Sequence, residues 1–188
     1  MANAIWIKIF ILIKEIIKIF EPPKLGGFFI KTTMKYRQLT KEQFEDLHNE
    51  FAQFLASQQI DVKEWNQIKK DKPDVAEDEM NVFSDVVWDD VLTKTAYLEH
   101  FSETSVNLFK CDDEEIHRIA IKITWDINLL EQKGFEWLMQ NPMDTSVEIF
   151  KGTKSYTLER NIEIFDLIEK GSIISKGEIF EYFNTLVS

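Results

Sequence analysis

Ser105-Val106-Asn107-Leu108-Phe109-Lys110-Cys111, then Asp112-Asp113, then Ile116-His117-Arg118-Ile119-Ala120-Ile121-Lys122-Ile123-Thr124 is the stretch that decides the fold. Both apolar runs are rich in β-branched residues, Ile119, Ile121 and Ile123 alternate with period two, and the paired aspartates supply a turn. A β-hairpin is therefore expected over 105–124, with Tyr97–Phe101 as a third strand.

Outward from the hairpin the period becomes helical. Thr40-Lys41-Glu42-Gln43 is a capping box with Leu39 and Phe44 as its staple, and Phe44, Leu47, Phe51, Phe54 and Leu55 then recur on one face. This predicts a helix over about 41–57. Asp61-Val62-Lys63-Glu64 opens a short helix carrying Val62, Trp65 and Ile68. Asp74-Val75-Ala76-Glu77, after Pro73, opens a third running to about Thr95. Downstream, Val147–Phe150 and Ser155–Leu158 flank Lys151-Gly152-Thr153-Lys154, the signature of a second hairpin, whereas Gly134 interrupts a helical pattern over Ile127–Met139. Two helices close the chain. The first carries Leu158, Ile162, Phe165 and Ile168 and stops at Gly171; the second starts at the Ser175–Glu178 box and buries Ile179, Phe180, Phe183 and Leu186. N-terminal helices, a small antiparallel sheet built from hairpins and two C-terminal helices make an α+β fold.

Residues 1–33 read differently from the rest. They hold five Lys against two Glu, whereas 34–188 hold 17 basic and 31 acidic side chains, so the sign of the charge changes at Met34. The leader fits a secretory signal poorly, because Lys8 and Lys14 interrupt its apolar run and no small-x-small cleavage site follows. No uncharged run approaches the ~18 residues of a spanning helix. Its Ile, Lys and Phe are what A/T-rich non-coding DNA encodes, so a non-globular leader before a true start at Met34 is expected. The alternative is an amphipathic segment, with Lys8, Lys14, Glu15, Lys18 and Glu21 on one side, that holds residues 1–20 at a membrane surface. Residues 34–188 are then one α+β domain.

With 188 residues, 44 % apolar and 29 % charged, the chain has the composition of a globular protein. Its single cysteine, Cys111, excludes an internal disulfide and a thiolate metal cage, so a cytoplasmic address is expected. No cofactor is implied either. Phosphate-cradling loops need clustered glycines, and Gly134, Gly152, Gly171 and Gly177 stand apart. No G-x-S-x-G elbow is present, and Cys111 sits in a strand pattern that suits a buried, inert thiol.

An enzyme, hydrolytic or metal-dependent, would have to use scattered groups: Glu45, His48, Glu99, His100 and His117. Glu45 and His48 share a helical face. Glu99 and His100 are adjacent on a strand and point apart, and the Glu114-to-His117 spacing fails on a strand for the same reason.

Charge is the strongest pattern. Residues 71–90 hold eight acids and one base, Lys72. On a helix Asp78, Asn81, Asp85 and Asp89 line one stripe, with Asp90 and Trp88 beside it. Acids in the first turns also suit the helix dipole and solubility. The functional expectation is a docking face for a basic protein partner, with Trp88 as aromatic anchor. A net charge of −11 disfavours direct phosphate contact with nucleic acid.

From Met34-Lys35-Tyr36-Arg37-Gln38-Leu39-Thr40 through Tyr97-Leu98-Glu99-His100-Phe101 to Ile121-Lys122-Ile123, the chain resembles a family of short bacterial proteins known as a domain of unknown function. The resemblance covers nearly all of 34–188 and brings no catalytic residue with it. The expected function is a non-enzymatic interaction or regulatory protein that docks a basic partner through Asp78, Asp85, Asp89, Asp90 and Trp88. A small enzyme and a membrane-surface protein are the alternatives.

Overall fold

The computed structural model describes residues 34–187, which form two compact units, 34–93 and 94–187. The leader 1–33 lies outside the described residues.

The 34–93 unit is helical: α1 Lys41–Asp46, α2 His48–Ser57, α3 Val62–Asp71 and α4, which starts at Pro73 and ends at Lys94. Thr40 caps α1 through the full box, accepting the Gln43 N–H at 3.3 Å while the Gln43 side chain accepts the Thr40 N–H at 2.8 Å. The single helix expected over 41–57 is interrupted at Leu47 (φ −101°, ψ 22°). Leu47 still donates to Gln43 and accepts from Phe51, so the break is a local unwinding that keeps the helical bonds. Asp61 caps α3 by accepting the Glu64 N–H at 2.8 Å. Pro73 occupies the first turn of α4, where a missing N–H costs nothing. The core is aromatic: the Phe83 ring lies 5.0, 5.4 and 5.8 Å from those of Phe51, Phe54 and Phe44.

The 94–187 unit holds β1 Tyr97–Phe101, β2 Ser105–Cys111, β3 Glu115–Ile123, α5 Gln132–Gln140, β4 Val147–Ser155, α6 Arg160–Glu169, β5 Ile173–Ser175 and α7 Glu178–Leu186. All strand pairs are antiparallel, in the order β4-β3-β2-β1-β5. With the helices before and after the sheet, the α+β architecture expected from the sequence is the one present. The 105–124 hairpin turns at Asp112, whose N–H donates to Glu115, and Tyr97–Phe101 joins it as the third strand.

Strand alternation gives the sheet two different faces. On one, Val106, Leu108, Ile119, Ile121 and Ile123 pack with Leu129, Leu138, Phe180 and Phe183 into the core. The other carries Leu98, Phe109, Ile116, Arg118, Ala120 and Phe150.

Three local expectations are corrected. The second hairpin does not form: β4 runs unbroken beside β3, with Gly152 opposite Arg118 and Lys151 opposite Ile119. A turn at 151–154 would leave half of the β3 backbone groups that face β4 without partners, and the nine-residue ladder outweighs the turn chemistry. Gly134 does not break a helix but permits one, since a Cβ there would stand 2.0 Å from the Asn128 carbonyl oxygen. Finally, Ser175 belongs to β5 and α7 is capped by Gly177 at φ +80°, where a Cβ would also meet the Tyr97 ring at 2.5 Å.

Candidate functional site

A groove of about 1020 Å³ opens on the second face of the sheet, wholly within the 94–187 unit. β2, β3 and β4 form its floor; α6 and the turn before it form a wall. Period-two alternation places Phe109, Ile116, Ala120 and Phe150 on the floor with Arg118 among them. Phe150 and Leu158 are 58 % and 61 % exposed, large apolar surfaces that the other described residues do not cover. Among the described residues nothing lies within 4 Å of where a Cβ on Gly152, opposite Arg118, would stand, so they leave the floor open there.

The charges around the groove are unequally matched. Lys154 pairs with Glu163 at 2.5 Å, and Lys170 with Asp166 at 3.8 Å. Arg118 donates through Nε and Nη2 to the Asn107 side-chain oxygen, at 3.0 and 2.5 Å, with its guanidinium 5.9 Å from the Phe109 ring centroid. An amide oxygen orients this cation without cancelling its charge, and among the described residues no carboxylate pairs with it. The groove thus holds an oriented, uncompensated cation on a chain of net charge −11.

Glu163 fixes the wall. Its carboxylate accepts the Thr157 and Leu158 backbone N–H groups and the Thr157 hydroxyl, and pairs with Lys154. The Lys154 bond, followed by these amides, holds its carboxyl down at about 2. Because the folded-state value lies below the unfolded one, the stabilisation is complete above the usual carboxylate range and is lost as pH falls from about 4.5 toward about 2. Solvent screening limits it to roughly 1–2 kcal/mol. Glu163→Gln should remove that part of the acid sensitivity, read as the wild-type minus variant difference in urea midpoint at pH 6 and pH 3. Equal differences at both pH values would contradict the assignment.

A family model matches residues 34–188. The chain belongs to this family, DUF6495, a family of unknown function. No curated protein and no solved structure is matched. The DUF6495 span covers every described element, the groove included. Among the described residues no helix of this DUF6495 chain is long and apolar enough to cross a membrane.

The residues singled out from the sequence have definite places in the DUF6495 fold. In the 34–93 unit, Asp85 accepts the backbone N–H groups of Lys35 and Tyr36 at 2.8 and 2.9 Å, and Asp89 accepts the Tyr36 hydroxyl at 2.7 Å and the Lys35 ammonium at 3.3 Å. Asn81 and Ser84 take Gln38 and the Leu39 N–H in the same way. Asn81, Ser84, Asp85 and Asp89 on α4 thus bond the chain's own residues 35–39, and Asp78 does not take part. Burial, and then the bond to Asp89, pushes the Tyr36 hydroxyl up to about 12. Trp88 is 3 % exposed, with the Arg37 guanidinium 5.0 Å from its ring. Asp78 is exposed near the start of α4 and Asp90 is half-buried. Asp85→Ala is expected to cost about 2 kcal/mol, because two amides lose a charged acceptor, and Asp85→Asn about half of that. A urea midpoint unchanged in both variants would sink this account.

Within the 94–187 unit the scattered acid–base candidates are not brought together. Glu45 and His48 lie in the 34–93 unit, where His48 Nδ1 bonds the Glu45 backbone oxygen at 2.9 Å. His100 faces the groove, whereas Glu99 is 7 % exposed on the opposite face, its carboxyl pushed up by burial against a lowering bond to Ser175. His117 also lies on that opposite face, opposite Thr153. A carboxylate only accepts, so Nε2 donates to Asp112 at 3.0 Å, and Nδ1 lies 2.8 Å from the Thr153 hydroxyl. Cys111 is buried and its thiol is pushed up to about 11, mainly by burial, so it stays protonated and unreactive. Among the described residues no group of three or more His, Cys, Asp or Glu side chains is suited to a metal ion.

Arg118, Asn107, Phe150 and Lys154 went unnoticed as a site in the sequence. The available signal was weak: period two puts Asn107, Arg118 and Lys154 away from the Ile119-Ile121-Ile123 face, but a polar outer face is ordinary in a half-solvated sheet.

Proposed function

We propose that this DUF6495 chain is a non-enzymatic interaction protein and that the groove beside α6 is its binding surface for an anionic ligand with apolar parts. The observation that carries this is Arg118, held in place by an amide, lining one groove with exposed Phe150 and Leu158, and with no carboxylate partner among the described residues. A preorganised guanidinium loses little rotamer freedom when it forks onto a carboxylate or phosphate. Phe150 and Leu158 supply apolar surface that gains by being covered. A cytoplasmic address belongs to this reading, since the one cysteine is buried and needs no oxidising compartment.

The second reading keeps the acidic helix as a dock for a basic protein. Asp74, Glu77 and Asp78 favour it, being exposed at the start of α4. Titrating the full chain with benzoate and with benzylamine separates the two. The groove reading expects benzoate to bind, and Arg118→Gln to weaken it at least about tenfold, the value of one lost charged hydrogen bond. Equal binding of benzylamine, or indifference to Arg118→Gln, would count against it.

A further inference from the structure

β4 ends the sheet order, so its outer row of backbone N–H and C=O groups has no strand beside it among the described residues. It is nine residues long, pairs with β3 in unbroken register from Val147↔Ile123 to Ser155↔Glu115, and is exposed continuously from Phe150 to Ser155. An unbroken edge of nine residues, roughly 30 Å at ~3.3 Å per residue and continuously exposed over its last six, is a template for one more strand.

A cation stands near that edge on each face, Lys151 on β4 itself and Arg118 one strand in, on β3, opposite the bare Gly152. Arg118 stands on the groove face, held by Asn107. Lys151 stands on the opposite face, its ammonium 2.7 Å from the Asn184 side-chain oxygen. Each is oriented by an amide, and among the described residues neither pairs with a carboxylate. Lys154, on the groove face, is already paired with Glu163, and Phe150 adds apolar surface there.

We propose that β4 receives an extended acidic segment of another protein as an added strand. Main-chain bonds to the β4 edge would give affinity. Specificity would come from side chains on the two faces, with carboxylates meeting Arg118 and Lys151 and an apolar residue covering Phe150. The partner's acidity follows from charge complementarity, and its extended form from the edge. This inference rests on the reading of the groove as the binding surface.

The test uses the full chain and fluorescein-labelled decapeptides followed by anisotropy. One is Glu-rich around two central Val, so that an added strand carries carboxylates on both faces, one has Lys for every Glu, and one repeats the acidic sequence with its central backbone nitrogens methylated. The acidic peptide should bind at least tenfold more tightly than the basic one and than the methylated one. In the exposed double variant Arg118→Glu/Lys151→Glu the preference should move to the basic peptide. If benzoate binds through Arg118 but the methylated peptide binds as well as the acidic one, strand addition is wrong and the groove reading survives. If neither benzoate nor the acidic peptide binds, both fail. A dimer at micromolar concentration that is broken by Lys151→Glu would assign the edge to a second copy and overturn the proposal.

Discussion

Arg160→Ala is expected to lower the stability of the 94–187 unit by about 4 kcal/mol. The guanidinium at the start of α6 donates to three carbonyl oxygens: Thr95 at 2.6 Å, Cys111 at 2.9 Å and Asp112 at 3.0 Å. These lie before β1, at the end of β2 and in the β2–β3 turn, so one side chain ties the close of the hairpin to the entry of the sheet. Charge-assisted bonds are worth about 1.5–3 kcal/mol each, and water reaching the half-buried site recovers part of the loss. Arg160→Lys should restore less than half, because an ammonium cannot fork to three carbonyls in fixed directions. A urea-unfolding loss under 1 kcal/mol for the alanine variant would show that these carbonyls are satisfied without Arg160.

In the helical unit the expected cost of Phe83→Ala is also about 4 kcal/mol. Phe83 is fully buried, and the rings of Phe44, Phe51 and Phe54 surround it at 5.0–5.8 Å. Removing it deletes the apolar contact and leaves a cavity that three rigid rings on two helices cannot collapse to fill. Phe83→Leu keeps most of the volume and should lose about half as much. Hydrogen exchange in α1 and α2 should quicken in step with the global loss. If it does not, the aromatic cluster is not what holds those helices.

The sequence spoke most clearly where two signals coincided. The Thr40 and Asp61 caps sit just ahead of helical apolar runs, and the caps form as read. Ile119, Ile121 and Ile123 alternate in a run bounded by aspartates, and they are core residues of a strand. Reading failed where a local signal met a tertiary demand. Lys151-Gly152-Thr153-Lys154 has turn chemistry, yet β3 needed a partner over all nine residues and took it. Ile173-Ile174-Ser175 is too short to stand out as a strand and exists through its pairing with Leu98 and its neighbours.

The site was less legible still. Charge density drew attention to α4, but a run of acids does not say which carboxylates already have partners, and Asp85 and Asp89 hold residues 35 and 36 of the same chain. Arg118 is a single cation in a strand with no local signature. Its importance comes from Asn107, Phe109 and Gly152 lying beside it across two strand pairings, a register that composition cannot supply.

The most direct test is an amide-resonance map of the full chain titrated first with benzoate and then with benzylamine. Binding in the groove predicts benzoate-induced shifts at Asn107, Arg118, Phe150, Gly152 and Leu158, with benzylamine leaving them in place. Shifts induced by benzylamine alone and gathered on Asp74, Glu77 and Asp78, with Arg118 unmoved by benzoate, would contradict it and return the binding surface to the acidic helix.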